Sequence, residues 1–263
     1  MERFLKQIIL LLIPTLFIAC GQTSTENELI TNGTGKLTPL DFYDTNYIDV
    51  KPKIIYSIAL GTGKLIPLDF ADKNYFEVED KAKDTITNDG WIIKYFVKDD
   101  STKYRDIYIQ WTKGKRTGLY CGFDDLLMRR YFIPQFMGEN DSYIFLTHGC
   151  ATDCSALLAL SKDNVPTAQD FAYVFSYNIK NGQLVSTPEY KKDTLQVSVV
   201  DLNRKQEKVV VFKNICNSTP KDGSIDSVHF DKNYISLFAT LIDKNDKDRT
   251  RKVKENHIVK FYK

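Results

Sequence analysis

From Trp91 to the C-terminus the chain is a succession of short runs rich in β-branched and aromatic residues. They are WIIKYFV, YRDIYIQW, TGLYCGF, RRYFIPQF, SYIFLTHG, SALLALSK, FAYVFSYNI, QLVST, LQVSVVDL, KVVVF, SVHF, YISLFATLI and HIVKFYK. Polar or glycine-bearing breakers such as TKGKRTG, GEND, KNGQ and TPKDG separate them. Runs of this length and composition suit a pleated, half-buried ladder and are too short for an amphipathic helix of several turns. Thirteen such candidates, joined by connections of two to ten residues, predict an all-β protein built as an antiparallel meander. A meander of this kind can close as a barrel, stack as a sandwich or fan into propeller blades, and the pattern favours a propeller-like meander and a two-sheet β-sandwich equally. Only FDDLLMRR and EDKAKD could hold a turn of helix.

A repeat adds a second constraint. GTGKLTPLDFYDTNYIDV at 33–50 recurs as GTGKLIPLDFADKNYFEV at 61–78, an offset of 28 residues with 13 of 18 positions identical. Two copies are too few for a solenoid, which needs about three units to bury a continuous core, so this is a local tandem duplication. The second copy runs into the strand-rich body and is expected to belong to the fold; the first is expected to be a peripheral or loosely packed extra. Its GTGKL pentad is not a phosphate loop. Such a loop needs glycine five residues before its Gly-Lys pair and Ser or Thr after the lysine, and Ile58 and Leu65 stand there instead. GTG is turn chemistry, because glycine takes the positive φ of tight hairpins. Pro67, with no N–H to give a ladder, belongs on an edge strand or at a strand end.

The N-terminus has a different character. MERFLKQIILLLIPTLFIAC opens with Arg3 and Lys6 and continues as an apolar run from Ile8 to Ala19. That run is shorter than the roughly 20 residues a spanning helix requires, so it reads as a signal-peptide core. Leu16, Phe17, Ile18 and small Ala19 before Cys20, with Gly21 after it, resemble the lipobox of bacterial lipoproteins. The resemblance covers the leader alone. It implies that the Cys20 thiol receives a diacylglyceryl group, that the chain is cut before it, and that the new amino terminus takes a palmitate-type acyl chain. Two or more acyl chains anchor a protein stably where one is marginal. A lipid-anchored place in the cell envelope follows, and glycine in place of aspartate after the cysteine favours the outer membrane over the inner. The expected organisation is a signal peptide at 1–19, a flexible tether at 20–32, the first copy at 33–50, and an all-β domain at 51–263 that includes the second copy.

Without residues 1–19 the chain carries 34 basic and 33 acidic side chains, so its charge asks for no nucleic-acid partner. The partners expected are membrane lipid, through acylated Cys20, and an envelope protein or glycan. No G-x-S-x-G, H-E-x-x-H or dinucleotide fingerprint occurs, and no cofactor or metal is expected. Four cysteines follow Cys20: Cys121, Cys150, Cys154 and Cys216. An even number outside the cytosol implies disulfides, with three connectivities possible. Pairing Cys150 with Cys154 leaves Cys121 for Cys216.

THGCATDCS at 147–155 gathers His148, Cys150, Asp153 and Cys154 between two strand runs. Zinc would need about four N or S ligands, one more than His148, Cys150 and Cys154 supply. A cysteine nucleophile would need a lowered pKa and a base beside it, and strand alternation alone does not turn His148 toward either sulfur. The stretch is therefore read as a short disulfide that stiffens a recognition loop, with His148 and Asp153 as binding-loop candidates and no catalytic residue. His229 and His257 sit singly in strand patterns, and the pairs Asp99/Asp100 and Asp124/Asp125 sit in turns. The function expected is that of a membrane-anchored envelope lipoprotein with a non-catalytic binding or structural domain. The alternatives are an envelope-polymer hydrolase with dispersed acidic residues and a protective or inhibitory lipoprotein.

Overall fold

The computed structural model describes residues 47–50, 64–68, 83–98, 107–123, 133–151, 154–187, 193–216 and 221–262. In them the β-branched and aromatic runs form antiparallel strands, and no α-helix occurs among the described residues. After β1 (Tyr47–Val50), a first sheet is made by β2 (Leu65–Pro67), β3 (Thr85–Ile86), β4 (Ile92–Lys98), β5 (Ile107–Lys113) and β6 (Arg116–Phe123). Its order is β2-β4-β5-β6, with β3 also on β4. The second sheet is a four-stranded meander of β7 (Gln135–Glu139), β8 (Tyr143–Ala151), β9 (Cys154–Ser161) and β10 (Ala168–Phe171). The third holds β11 (Val174–Asn178), β12 (Gln183–Ser186), β13 (Thr194–Asp201), β14 (Gln206–Ile215), β15 (Ile225–Phe230), β16 (Tyr234–Ile242) and β17 (Lys252–Lys260). Its order is β11-β12-β13-β14-β16-β15, with β1 on β14 and β17 on β16.

The duplication is divided between two sheets, since the first copy supplies β1 and the second supplies β2. The first copy is thus not a peripheral extra throughout. β14 meets β16 only at Ile215, and its backbone groups from Glu207 to Val210 find their partners in β1. An unpaired buried ladder is costly. β1 pairs the stretch of β14 that β16 leaves open, and one sheet of the fold is nearly closed and barrel-like.

Alternation of side chains along each strand explains how the sheets stack. In the second sheet Ile144, Leu146, Leu158, Leu160 and Ala168 join a core with Trp91, Ile93, Tyr95, Ile109 and Trp111 of the first sheet and its flanks. Their neighbours Tyr143, Phe145, Leu157 and Ala159 point the other way and pack with Val174, Leu184, Val200 and Leu202 of the third. The period of two thus buries the middle sheet on both faces. This is why SALLALS reads as a continuous apolar run and not as an alternation. β12 repeats the device, with Leu184 on the shared core and Val185 on the third sheet's own core. Successive meanders lie face to face, as blades do, and the antiparallel meander expected from the sequence is the architecture of the chain.

The large amphipathic rings of the first core find polar partners across the seam. Trp111 Nε1 donates to Ser161 O at 2.9 Å, and the Tyr95 hydroxyl donates to Pro134 O at 2.5 Å. The guanidinium of Arg116 lies 4.7 Å from the centroid of the Trp91 ring and donates to Lys162 O at 2.7 Å. Gly118 sits beneath the Trp111 ring, where an added Cβ would overlap the indole.

Candidate functional site

His148 continues the row of Ile144 and Leu146 along β8, so strand geometry carries it toward the first sheet and into a buried position. An imidazole in such a row needs polar partners, because burying an unpaired polar group is expensive. They come from two other strands. On β10, Asp170 stands opposite Leu158 and so shares that face; its Oδ1 accepts from His148 Nε2 at 3.0 Å. On β6 of the first sheet, the Tyr120 hydroxyl donates to Asp170 Oδ2 at 2.9 Å. The other ring nitrogen, His148 Nδ1, donates to Gly149 O at 2.8 Å.

Both groups facing the imidazole are acceptors, a carboxylate and a carbonyl, so they favour a proton on each ring nitrogen. Burial works against that charge, but the Asp170 carboxylate and the Gly149 carbonyl outweigh it and raise the His148 pKa. Burial and the Asp170 charge together push the Tyr120 phenol well above its usual value, which keeps it a donor. An imidazole committed at both nitrogens has no lone pair with which to take a proton from a nucleophile or to hold a metal. The cluster is an ionic tie between the first and second sheets.

Next to this tie the β8–β9 hairpin carries a bulge. Gly149 faces Ser155 and Ala151 faces Cys154, which leaves Cys150 as the extra residue. A bulge turns a residue out of the alternating pattern, and here it brings Cys150 to Cys154. Their Cα atoms are 5.2 Å apart and their sulfurs lie at disulfide distance. The other expected bridge is not formed, because Cys216 is a buried thiol whose Sγ lies 3.3 Å from Ser224 Oγ. Cys121 is on β6 of the first sheet, while Cys216 belongs to the core of the third, with the second sheet between them. Asp153, Cys20 and the pairs Asp99/Asp100 and Asp124/Asp125 lie outside the described residues.

A second ionic centre occupies the opposite end of the β8–β9 pair. The buried Lys162 Nζ lies 2.5 Å from Asp89 Oδ2, 2.7 Å from Glu139 Oε2 and 2.6 Å from Asn140 O. Glu139 Oε1 accepts from Asp89 N at 2.8 Å, and Lys113 Nζ reaches the Asp89 carbonyl. Burial disfavours the charge on Glu139, yet Lys162 and the Asp89 N–H outweigh it and lower its pKa. Sequence patterns gave no warning of this centre or of Asp170 and Tyr120, whose partners are tens of residues away in the chain. The one available signal was a polar residue in an inward row, since such a side chain has to be matched from across the seam.

The remaining histidines are structural. His257 Nε2 pairs with Glu255 Oε1 at 2.9 Å, and His229 stands edge-on to Phe238 with ring centroids 5.4 Å apart. Among the described residues, no group of three or more His, Cys, Asp or Glu side chains is placed to hold a metal ion. No protein-family model matches the chain, and no curated protein and no solved structure does either.

Proposed function

We propose that the chain is a lipid-anchored protein of the cell envelope, held through acylated Cys20, whose all-β body binds or supports an envelope protein or glycan without catalysis. The observation that carries this reading is the leader, an apolar run from Ile8 to Ala19 that is too short to span a membrane and ends on a small residue before Cys20. Gly21 at the following position favours the outer membrane. The geometry of the β8–β9 tip supports the non-catalytic part. His148, the one histidine of the candidate loop, is committed at both nitrogens, and the bulge at Cys150 is stapled rather than reactive.

The test is the chemistry of the N-terminus. Expressed in a bacterium that processes lipoproteins, the full chain should yield a mature protein that begins at Cys20. Mass spectrometry should find diacylglyceryl and acyl groups on that residue. Cys20→Ala should lose both the lipid and the membrane association. A membrane-free protein that keeps Met1 and an unmodified Cys20 would remove the anchor from the reading.

A further inference from the structure

β14 changes neighbours along its length. Glu207 to Val210 pair with β1, whereas Ile215 pairs with Ile242 of β16. On the opposite edge the register with β13 runs from Asp201↔Gln206 to Gln196↔Val211 and resumes at Thr194↔Ile215. Leu195 alone therefore faces Phe212, Lys213 and Asn214, and β14 turns a corner at this bulge. A bulge takes backbone N–H groups out of the ladder, and they need acceptors elsewhere. One side chain supplies them. Glu255 of β17 stands opposite Ala239 of the third core and so faces inward. Its Oε1 accepts from Lys213 N at 2.9 Å, and its Oε2 accepts from Asn214 N at 3.2 Å and from Asn214 Nδ2 at 2.8 Å.

Around this contact the join is thin. β14 and β16 share one registered pair, whereas β16 and β17 share nine, from Tyr234↔Lys260 to Ile242↔Lys252. His257, two residues along β17, brings Nε2 to 2.9 Å from Glu255 Oε1 and stands edge-on to Phe212 with ring centroids 4.5 Å apart. Burial opposes the charge on Glu255, yet His257 and the amide donors of β14 outweigh it and bring its pKa down to about 2. The carboxylate is therefore an acceptor at neutral pH. We infer that residues 212–214 form a hinge in the third sheet, latched to β17 by Glu255, and that release of this latch opens the third core locally while the rest of the fold stands. Local openings of this kind need less free energy than global unfolding. Cys216 lies two residues beyond the hinge, 2% exposed and within that core. Its thiol is shielded when the latch is shut and reachable when it opens, so it reports on the hinge.

The experiment labels the full chain with N-ethylmaleimide at neutral pH, in urea concentrations below the unfolding transition, and maps the label at Cys216 by peptide mass spectrometry. Opening through the hinge exposes little surface, so the rate at Cys216 should be nearly independent of urea at the low end. Glu255→Gln keeps the shape of the side chain but turns one acceptor oxygen into an amide that faces other donors, and it should raise that rate roughly ten- to hundredfold. If this variant fails to fold, Asn214→Ala, which deletes one donor to the latch, should raise the rate about fivefold. A rate at Cys216 that climbs from the first addition of urea with the slope of global unfolding overturns the inference. So does a rate that neither substitution changes.

Discussion

The company that His148 keeps favours its cationic form. Asp170 and the Gly149 carbonyl can only accept, and together they raise its pKa above the ordinary imidazole value of 6.5 despite its burial. A raised folded-state value means that the unfolded chain binds fewer protons than the native one between the two values. The stabilisation is therefore complete below about pH 6.5 and is lost as pH rises through the folded-state value. Urea denaturation should show stability falling across that interval. In His148→Gln this fall should be absent, and at pH 6 the variant should already be weaker by about 2 kcal/mol, because Asp170 loses a charged donor while still largely buried. Equal pH slopes in the two proteins would mean that the ring is neutral in the fold. That His148 lies on an inward row was legible from the strand run around it. Its partners were not, because Asp170 and Tyr120 meet it through pairing and stacking that no local pattern records.

At the scale of the element, the β8–β9 hairpin combines a strong ladder with a weak staple. Seven registered pairs from Tyr143↔Ser161 to Gly149↔Ser155 fix the two strands before the bulge is reached. A bridge across so few residues removes little freedom from the unfolded chain, at most about 2 kcal/mol on the chain-entropy account. Replacing Cys150 and Cys154 together by serine should therefore lower stability by no more than that, with the sheet content seen by circular dichroism unchanged. A loss of twice that size would show that the bridge holds more than the tip. The strands themselves were readable from β-branched and aromatic runs, and the Cys150–Cys154 proximity from its short spacing. The pairing of Cys121 with Cys216 was inferred by elimination, and elimination knows nothing of sheets. Cys121 stands on the first sheet and Cys216 in the core of the third, a relation that only stacking order decides.

At the scale of the whole molecule, the seam between the first and second sheets is the place where stability and structure can be tested together. Both tryptophans of the chain, Trp91 and Trp111, are buried in that seam, so their fluorescence reports on it and on no other core. Lys162 closes the seam at one end by joining Asp89 from the β3–β4 turn to Glu139 of β7. The two carboxylates differ in setting: the Asp89 side chain is 50% exposed, whereas that of Glu139 is 7% exposed. Removing the ammonium would strand the Glu139 charge away from water while leaving Asp89 solvated, and an uncompensated buried charge costs about 3–5 kcal/mol. Lys162→Met should thus destabilise the protein by about 3 kcal/mol, with the tryptophan transition moving to lower urea than the far-ultraviolet circular dichroism of the remaining sheets. The double variant Lys162→Met with Glu139→Met removes the stranded charge as well as its partner, so it should regain more than half of that loss, since apolar replacements of a buried pair are often neutral. Should the double variant be weaker than Lys162→Met alone, the pair contributes through its own attraction and not merely by keeping a buried carboxylate company. The coincidence or separation of the two spectroscopic transitions then decides a second point. Separation means that the first sheet can leave the stack while the second and third remain folded, as expected of meanders whose cores are distinct layers and not one shared interior.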